Sequence, residues 1–274
     1  MKSAISNLQF LKLGGSLITD KTTTSTPRLD VLARVAGEIA VGLAQNPDMK
    51  LVLGHGSGSF GHVAAKKFGT RQGVRTHEEW QGFAEVWYQA SALNRLVVDA
   101  LHKAGLPAVS FPASAAATTE NGKVVIWNLE PLRAALEAHL LPVVFGDVAF
   151  DTAIGGTILS TEDVFQHLAP HLNPERILLA GIESGVWADY PDCTQLIEEI
   201  TPASAAQISN SVSGSAATDV TGGMASKVEE MLALVQQING LEVSIFSGKE
   251  PDAVRNALLG DRIGTHIGAG EANA

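Results

Sequence analysis

Short apolar runs alternate with longer amphipathic stretches along the chain. The runs Leu8 to Leu13, Leu51 to Leu53, Ala108 to Phe111, Leu141 to Phe145, Ile177 to Ala180 and Val243 to Phe246 read as strands. Between them, helical periodicity is clearest in Leu29 to Gln45, Phe83 to Lys103 and Met224 to Ile238, where Val228, Met231, Leu232 and Val235 share one stripe. Parallel strands need crossovers and are covered on both faces, so the pattern predicts an α/β fold, a three-layer α/β/α sandwich with a mostly parallel central sheet. Thr19 to Arg28 and Ser209 to Gly223 are expected as loops, and loops that long often cover ligands. No internal repeat, low-complexity tract or linker divides the chain, which is expected to be one domain, 1–274, of two lobes.

Composition narrows what such a sandwich can do. The 274 residues carry a formal charge of -10, which argues against wrapping nucleic acid or an anionic membrane, since both require a basic surface. Any phosphate site must therefore be local, built from a few lysines beside glycine turns, and 27 glycines supply many such turns. The single cysteine, Cys193, excludes an intrachain disulfide and fits a reducing compartment. MKSAISNLQFLKL lacks the apolar core and cleavage site of a secretory signal, so cytoplasm is the expected location.

Four segments carry candidate chemistry. In KLGGSLITDK, a strand ends at Lys12-Leu13 and turns through Gly14, Gly15 and Ser16, so main-chain amides can meet a phosphate while Lys12 and Lys21 supply charge; a tight turn between solvated lysines is the alternative. LGHGSGSFGH holds Gly56-x-Gly58-x-x-Gly61, but Thr76 to Glu85 reads as a helix start where a dinucleotide-binding unit needs an acid closing a strand. His62 just after it can donate to an anion or be an ordinary surface histidine, and His55 is ambiguous. In FGDVAFDTAIGGTILSTED, Asp147, Asp151 and Asp163 fall at turns as ligand-orienting or capping carboxylates. DVTGGMASKVEEM opens an amphipathic helix on a glycine pair with Lys227 one turn inside, a geometry that suits polyphosphate, although no Walker sequence is present.

In this order and at these separations, Lys12-Leu13-Gly14-Gly15-Ser16, the turn ending at Gly58, Gly146-Asp147 and Gly222-Gly223 through Lys227 resemble the amino acid kinase family over most of the chain. Within it, Ser16-Leu17-Ile18-Thr19-Asp20-Lys21 and Gly58-Ser59-Phe60-Gly61-His62 resemble its isopentenyl phosphate kinase branch. The resemblance implies ATP with Mg2+ as phosphoryl donor, isopentenyl phosphate as acceptor and a homodimer. It implies acceptor binding by the lobe at about 1–172 and nucleotide binding by that at about 173–274. Lys12, Gly14, Gly15, Ser16, Gly58, Asp163, Gly223 and Lys227 would then hold nucleotide, and Ser57, Gly58, His62 and Gly146 the acceptor. Lys12, Lys21, His62 and Lys227 would act in catalysis, Lys21 on the transition state. No residue is assigned as a direct metal ligand. An acceptor phosphate is already a nucleophile, so the barrier lies in repulsion and misalignment.

The chain departs from the family pattern at Ser57, where glycine is usual, at Gly181-Ile182-Glu183-Ser184-Gly185, which replaces Thr-Asp-x-Asp-Gly, and at Thr161-Glu162-Asp163, which replaces Ser-Gly-Asp-Asp although Asp163 itself still matches. Two rival readings are a fosfomycin-type phosphonate kinase and a non-catalytic oxyanion-binding protein of the same fold. The stripe Phe83, Val86, Trp87 and Ala90 favours a hydrocarbon acceptor over the first if it faces the ligand, and the retained lysines speak against the second.

Overall fold

The computed structural model describes residues 5–205 and 223–270. Its main sheet has eight strands in the spatial order Glu199–Ile200, Thr265–Ile267, Glu242–Ser247, Arg176–Gly181, Leu8–Leu13, Lys50–His55, Leu141–Phe145 and Ala108–Ser110. The last six run parallel; the first two are parallel to each other and antiparallel to Glu242–Ser247. All six expected strands are present and form that parallel block. Helices cover both faces, giving the expected three layers.

The strand Leu8–Leu13 shows how the sequence divides the core. Side chains alternate between faces. Leu8 and Phe10 join the cluster under helices Thr161–Leu172 and Gly223–Gln237, with Phe165, Leu168, Met231 and Val235. Leu11 and Leu13 join the opposite cluster under helices Leu29–Gln45 and His77–Lys103, with Ile39, Leu93 and Val97. Lys12 therefore falls on the Phe10 face, at the strand's carboxyl end, beneath the two helices that carry Glu162 and Lys227. Gly54 allows the close fit there: a Cβ on it would stand 2.6 Å from a Thr161 methyl and 2.7 Å from the Phe165 ring.

The expected helix from Phe83 begins earlier, at His77, because Thr76 and Glu79 form a reciprocal capping box. The stretch expected as a loop from Thr19 to Arg28 contains a small hairpin, Thr19–Asp20 against Thr26–Pro27; Ser209 to Gly222 lie outside the described residues. A four-stranded sheet, ordered Gly155–Leu159, Asp147–Asp151, Ala117–Glu120 and Lys123–Trp127, was not foreseen. Its strands are short and partly polar, and Gly155-Gly156, read as a turn, opens one of them. Asp151 closes that hairpin by accepting from the amides of Ala153 (2.9 Å), Ile154 (3.0 Å), Asn121 (3.1 Å) and Gly122 (2.8 Å). Asp147 is fully buried and accepts from the Ser114 and Val148 amides. Both carboxylates are thus committed to the backbone.

Candidate active site

Two glycine turns cross at the carboxyl ends of adjacent parallel strands, the position where open α/β sheets bind ligands. Gly15 follows Leu8–Leu13, and Gly58 follows Lys50–His55. A Cβ on Gly15 would stand 2.3 Å from the Gly58 nitrogen and 2.5 Å from its Cα, so the two main chains touch without intervening side chains. Gly58 has φ +54°, and a Cβ there would meet the Thr19 hydroxyl at 2.0 Å. That hydroxyl donates to the Gly15 carbonyl at 2.7 Å and accepts from the Ser59 amide at 2.9 Å, stitching the turns together. The third strand end joins through Ser57, whose hydroxyl donates to the Gly146 carbonyl at 3.0 Å. Serine in place of glycine at position 57 thereby ties the turn to Gly146.

Around this crossing lies a cavity of about 270 Å³. Its lining includes Lys12, Gly14, Gly15, Ser16, Lys21, Ser57, Gly58, His62, Gly146, Gly223 and Lys227, bringing together eleven of the residues singled out in the sequence. His62 opens helix His62–Phe68 directly after Gly61, whose φ of +79° turns the chain into the helix. Asp163 is the exception. It does not line the cavity: its carboxylate accepts from the Ser160 amide and hydroxyl, both at 2.7 Å, caps helix Thr161–Leu172, and pairs with Arg71 at 3.2 Å. Of its two sequence readings, the first-turn capping acid is the one the structure shows.

Glu162, one residue earlier, does line the cavity. It is 4% exposed and ion-pairs with Lys12, itself 7% exposed. Burial works to raise the Glu162 pKa, but the charges of Lys12 and Lys227 outweigh it and hold the carboxyl below the usual range. Glu162 thus pairs directly with Lys12 and feels the charge of Lys227. The sequence reading missed it because an acid in the first turn of a helix is ordinarily a dipole complement; its adjacency to a buried strand-end lysine exists only in the fold.

His55 is resolved as a framework residue. It is 1% exposed and stacks on Phe145 with ring centroids 5.3 Å apart. Burial pushes its pKa down to about 4, so the ring is neutral. Its Nδ1 lies 3.2 Å from the Gly56 carbonyl, and its Nε2 meets the Asn94 amide at 3.2 Å. In a trans peptide the carbonyl and the following N–H point in opposite directions, so holding the Gly56 carbonyl inward turns the Ser57 N–H away from the core.

Further lining residues had not been assigned to the site from the sequence. Arg71 reaches the cavity from the short turn Thr70–Gln72. Glu183, Trp187 and Tyr190 line it beyond Arg176–Gly181, with the Trp187 indole donating to Glu183 at 3.2 Å. Phe60, Ala65, Val86 and Ile158 give it an apolar wall. Of the stripe Phe83, Val86, Trp87 and Ala90, only Val86 lines the cavity; Phe83 and Ala90 are buried, and Trp87 is 45% exposed. Trp187 and Tyr190 carried no periodic or motif signal.

Crossed glycine turns, a buried lysine braced by an acid, a second lysine near it, and a helix opening on Gly223 define an anion-transfer site, and the chain belongs to the amino acid kinase family, whose sequence model matches residues 7–247. More particularly, it is similar to isopentenyl phosphate kinases. It is 33% identical to that of Methanocaldococcus jannaschii over 95% of this chain and 98% of that protein. With that of Methanothermobacter thermautotrophicus it shares 34% identity over 94% and 97%. Among solved structures, an isopentenyl phosphate kinase superposes with a TM-score of 0.80 at 30% identity, covering 95% of this chain and 99% of the other. A product complex of the T. acidophilum enzyme gives 0.76 at 25% identity with the same coverage.

Proposed function

We propose that this chain transfers the γ-phosphoryl group of Mg-ATP to isopentenyl phosphate, giving isopentenyl diphosphate. The observation that carries the reading is the joint presence, in one cavity, of His62 and the Ser57-Gly58 turn, Lys12 braced by Glu162, Lys227, and an apolar wall. An acceptor bound at the turn by its phosphate would lay a short hydrocarbon against Ala65, Val86 and Ile158. A small, polar phosphonate drug has less hydrocarbon to bury against that wall. Near-full-length similarity to several isopentenyl phosphate kinases supports the same substrate.

The residues fit a nucleotide triphosphate. Lys12, Lys227 and the Gly14 to Ser16 and Gly223 main chain surround the polyphosphate position, and Trp187 and Tyr190 offer flat apolar faces for a base. When bound, Mg-ATP supplies the phosphoryl group and part of the charge neutralisation. Among the described residues no group of three or more His, Cys, Asp or Glu side chains converges as a metal cage.

The protein's own contribution is alignment and charge. Glu162 holds Lys12 in place before substrate arrives, so its reorganisation does not add to the barrier. Lys21, at the cavity rim, is placed to neutralise the transferring group. His62 donates to the acceptor phosphate, whose oxygen attacks without needing a base. Acceptor binding falls to the part of the chain before residue 172, nucleotide binding largely to the part after it, with Lys12 and the Gly14 to Ser16 turn between them. The protein is expected to act in the cytoplasm as a homodimer.

The test is ADP release with Mg-ATP and isopentenyl phosphate, dimethylallyl phosphate, fosfomycin or no acceptor, with the product identified by phosphorus NMR. Turnover dependent on isopentenyl phosphate and yielding a diphosphate is expected. Turnover on fosfomycin alone, or on no acceptor, would contradict the reading.

A further inference from the structure

Positive charge is unevenly spread along this acidic chain. Between Asp48 and Glu78 there is no acid, yet the segment carries Lys50, Lys66, Lys67, Arg71 and Arg75, against a formal charge of -10 for the whole. Lys50 opens its strand at the end opposite the cavity, whereas the other four follow His62, on helix His62–Phe68 and in the stretch after it. On that helix His62 and Ala65 line the cavity. Lys66 is the i+4 neighbour of His62, shares its face and is exposed. Lys67 is exposed too, but stands about 100° further round the helix. Its ammonium lies 4.5 Å from the Phe68 ring centroid, and that ring packs on helix His77–Lys103, where a Cβ on Gly82 would stand 2.2 Å from it. Asp163 offsets the charge of Arg71, and Glu79 accepts from the amides of Arg75 and Thr76. The ion pairs of the described residues include neither Lys66 nor Lys67.

Resting on the function proposed above, we infer that Lys66 guides the anionic acceptor into the cavity by its charge, without touching the bound phosphate. A protein of net negative charge repels a phosphate monoester at long range, and a local positive field at one mouth raises both its concentration there and its rate of capture. Lys66 supplies that field on the His62 side. It stands one helical turn beyond the histidine and outside the residues that line the cavity, so its charge acts through solvent and is screened by salt. Efficiency toward the acceptor therefore depends on ionic strength through a residue separate from the chemistry at Lys12 and Lys21. Lysines in the last turn of a helix also complement its dipole. Lys67 does that equally, so only the side of the helix distinguishes the two.

The experiment measures kcat and kcat/KM for isopentenyl phosphate by ADP release at saturating Mg-ATP, in the full-length wild type, Lys66→Glu and Lys67→Glu. Each is assayed at ionic strengths of about 0.02 M and about 1 M, where charges are felt over roughly 20 Å and 3 Å. On the scale of helix spacing and diameter, a phosphate at His62 lies roughly 9 Å from the Lys66 ammonium and roughly 14 Å from that of Lys67. Coulomb's law then gives a fall in kcat/KM of about five- to tenfold for Lys66→Glu at low salt, and no more than about threefold for Lys67→Glu. At about 1 M both should lie within about twofold of wild type, with kcat within about twofold throughout. Both variants weaken the same helix end, so their melts should shift together. If Lys66→Glu does not fold, Lys66→Gln and Lys67→Gln replace the pair, with a fall of about threefold expected for the first and less for the second. A Lys66 variant as efficient as wild type at low salt, or no more affected than its Lys67 counterpart, overturns the inference alone. So does a loss that persists at high salt, since that would place Lys66 on the phosphate itself. A wild type inactive on isopentenyl phosphate overturns both this inference and the function it rests on.

Discussion

Replacing Gly15 by alanine tests whether the crossing of the two glycine turns is what aligns the reacting phosphates. The added Cβ would lie 2.3 Å from the Gly58 nitrogen and 2.5 Å from its Cα, where real contacts essentially never fall below 3.0 Å. Both atoms are backbone, so no side chain can rotate aside, and the turns must part. One turn belongs to the proposed donor side and the other to the acceptor side. Their separation therefore changes the distance between reacting groups, and a misplacement of about 1 Å can cost about 100-fold in rate. Overpacking of this kind also costs about 1–3 kcal/mol of stability. Gly37→Ala is the control: its Cβ would meet nothing within 4 Å, and it lies inside helix Leu29–Gln45, so it should be neutral or gain up to about 1 kcal/mol with unchanged activity. Steady-state ADP release and thermal melts of both variants provide the assay. A Gly15→Ala enzyme within threefold of wild-type kcat/KM, with an unchanged melt, would refute the alignment argument.

Glu162→Gln removes the carboxylate beside the buried Lys12 ammonium and should cost about 3–5 kcal/mol in urea unfolding, with a large loss of kcat. Because the Glu162 pKa is lowered in the fold, its stabilisation is full above the ordinary glutamate pKa of 4.5 and is lost as pH falls through the lower folded value; the wild-type minus variant difference should shrink in that acid range. Glu230 behaves oppositely: burial, opposed by the Ser226 hydroxyl and reinforced by the Glu162 and Asp163 charges, pushes its pKa up to about 7. Between 4.5 and about 7 the folded protein then binds more protons than the unfolded chain, so wild-type stability declines as pH rises through this window. Glu230→Gln should match wild type near pH 4 and exceed it by about 1–2 kcal/mol at pH 8, allowing for partial solvent screening, as read from melts across pH.

The parallel block and its helices were legible because their signal is local. Leu8 to Leu13, Leu141 to Phe145 and the stripe Val228, Met231, Leu232, Val235 each declare a period and a buried face within their own residues. Most of the site was legible for a related reason: Gly14-Gly15, Ser57-Gly58 and Gly146 all stand at strand ends, and the sheet brings strand ends together. The second sheet was not, since Gly155-Gly156 looks like a turn and gains strand geometry only by pairing with Asp147–Asp151. Glu162, Arg71, Trp187 and Tyr190 escaped notice because their significance is positional. Glu162 and Asp163 are neighbouring acids in one helix turn, and their sequence cannot say which faces Lys12; the helix rotation sends one into the cavity and the other to its own cap.

The account depends most directly on His62 holding the phosphate of the acceptor. Separate KM values for isopentenyl phosphate and ATP, with kcat, in wild type and His62→Ala give the decisive comparison. Removing a charge-assisted donor from the attacking acceptor phosphate should lower kcat/KM for isopentenyl phosphate by roughly 100- to 1000-fold while leaving the KM for ATP within about threefold. A His62→Ala enzyme that keeps wild-type efficiency toward isopentenyl phosphate would contradict the assignment of this cavity end to the acceptor.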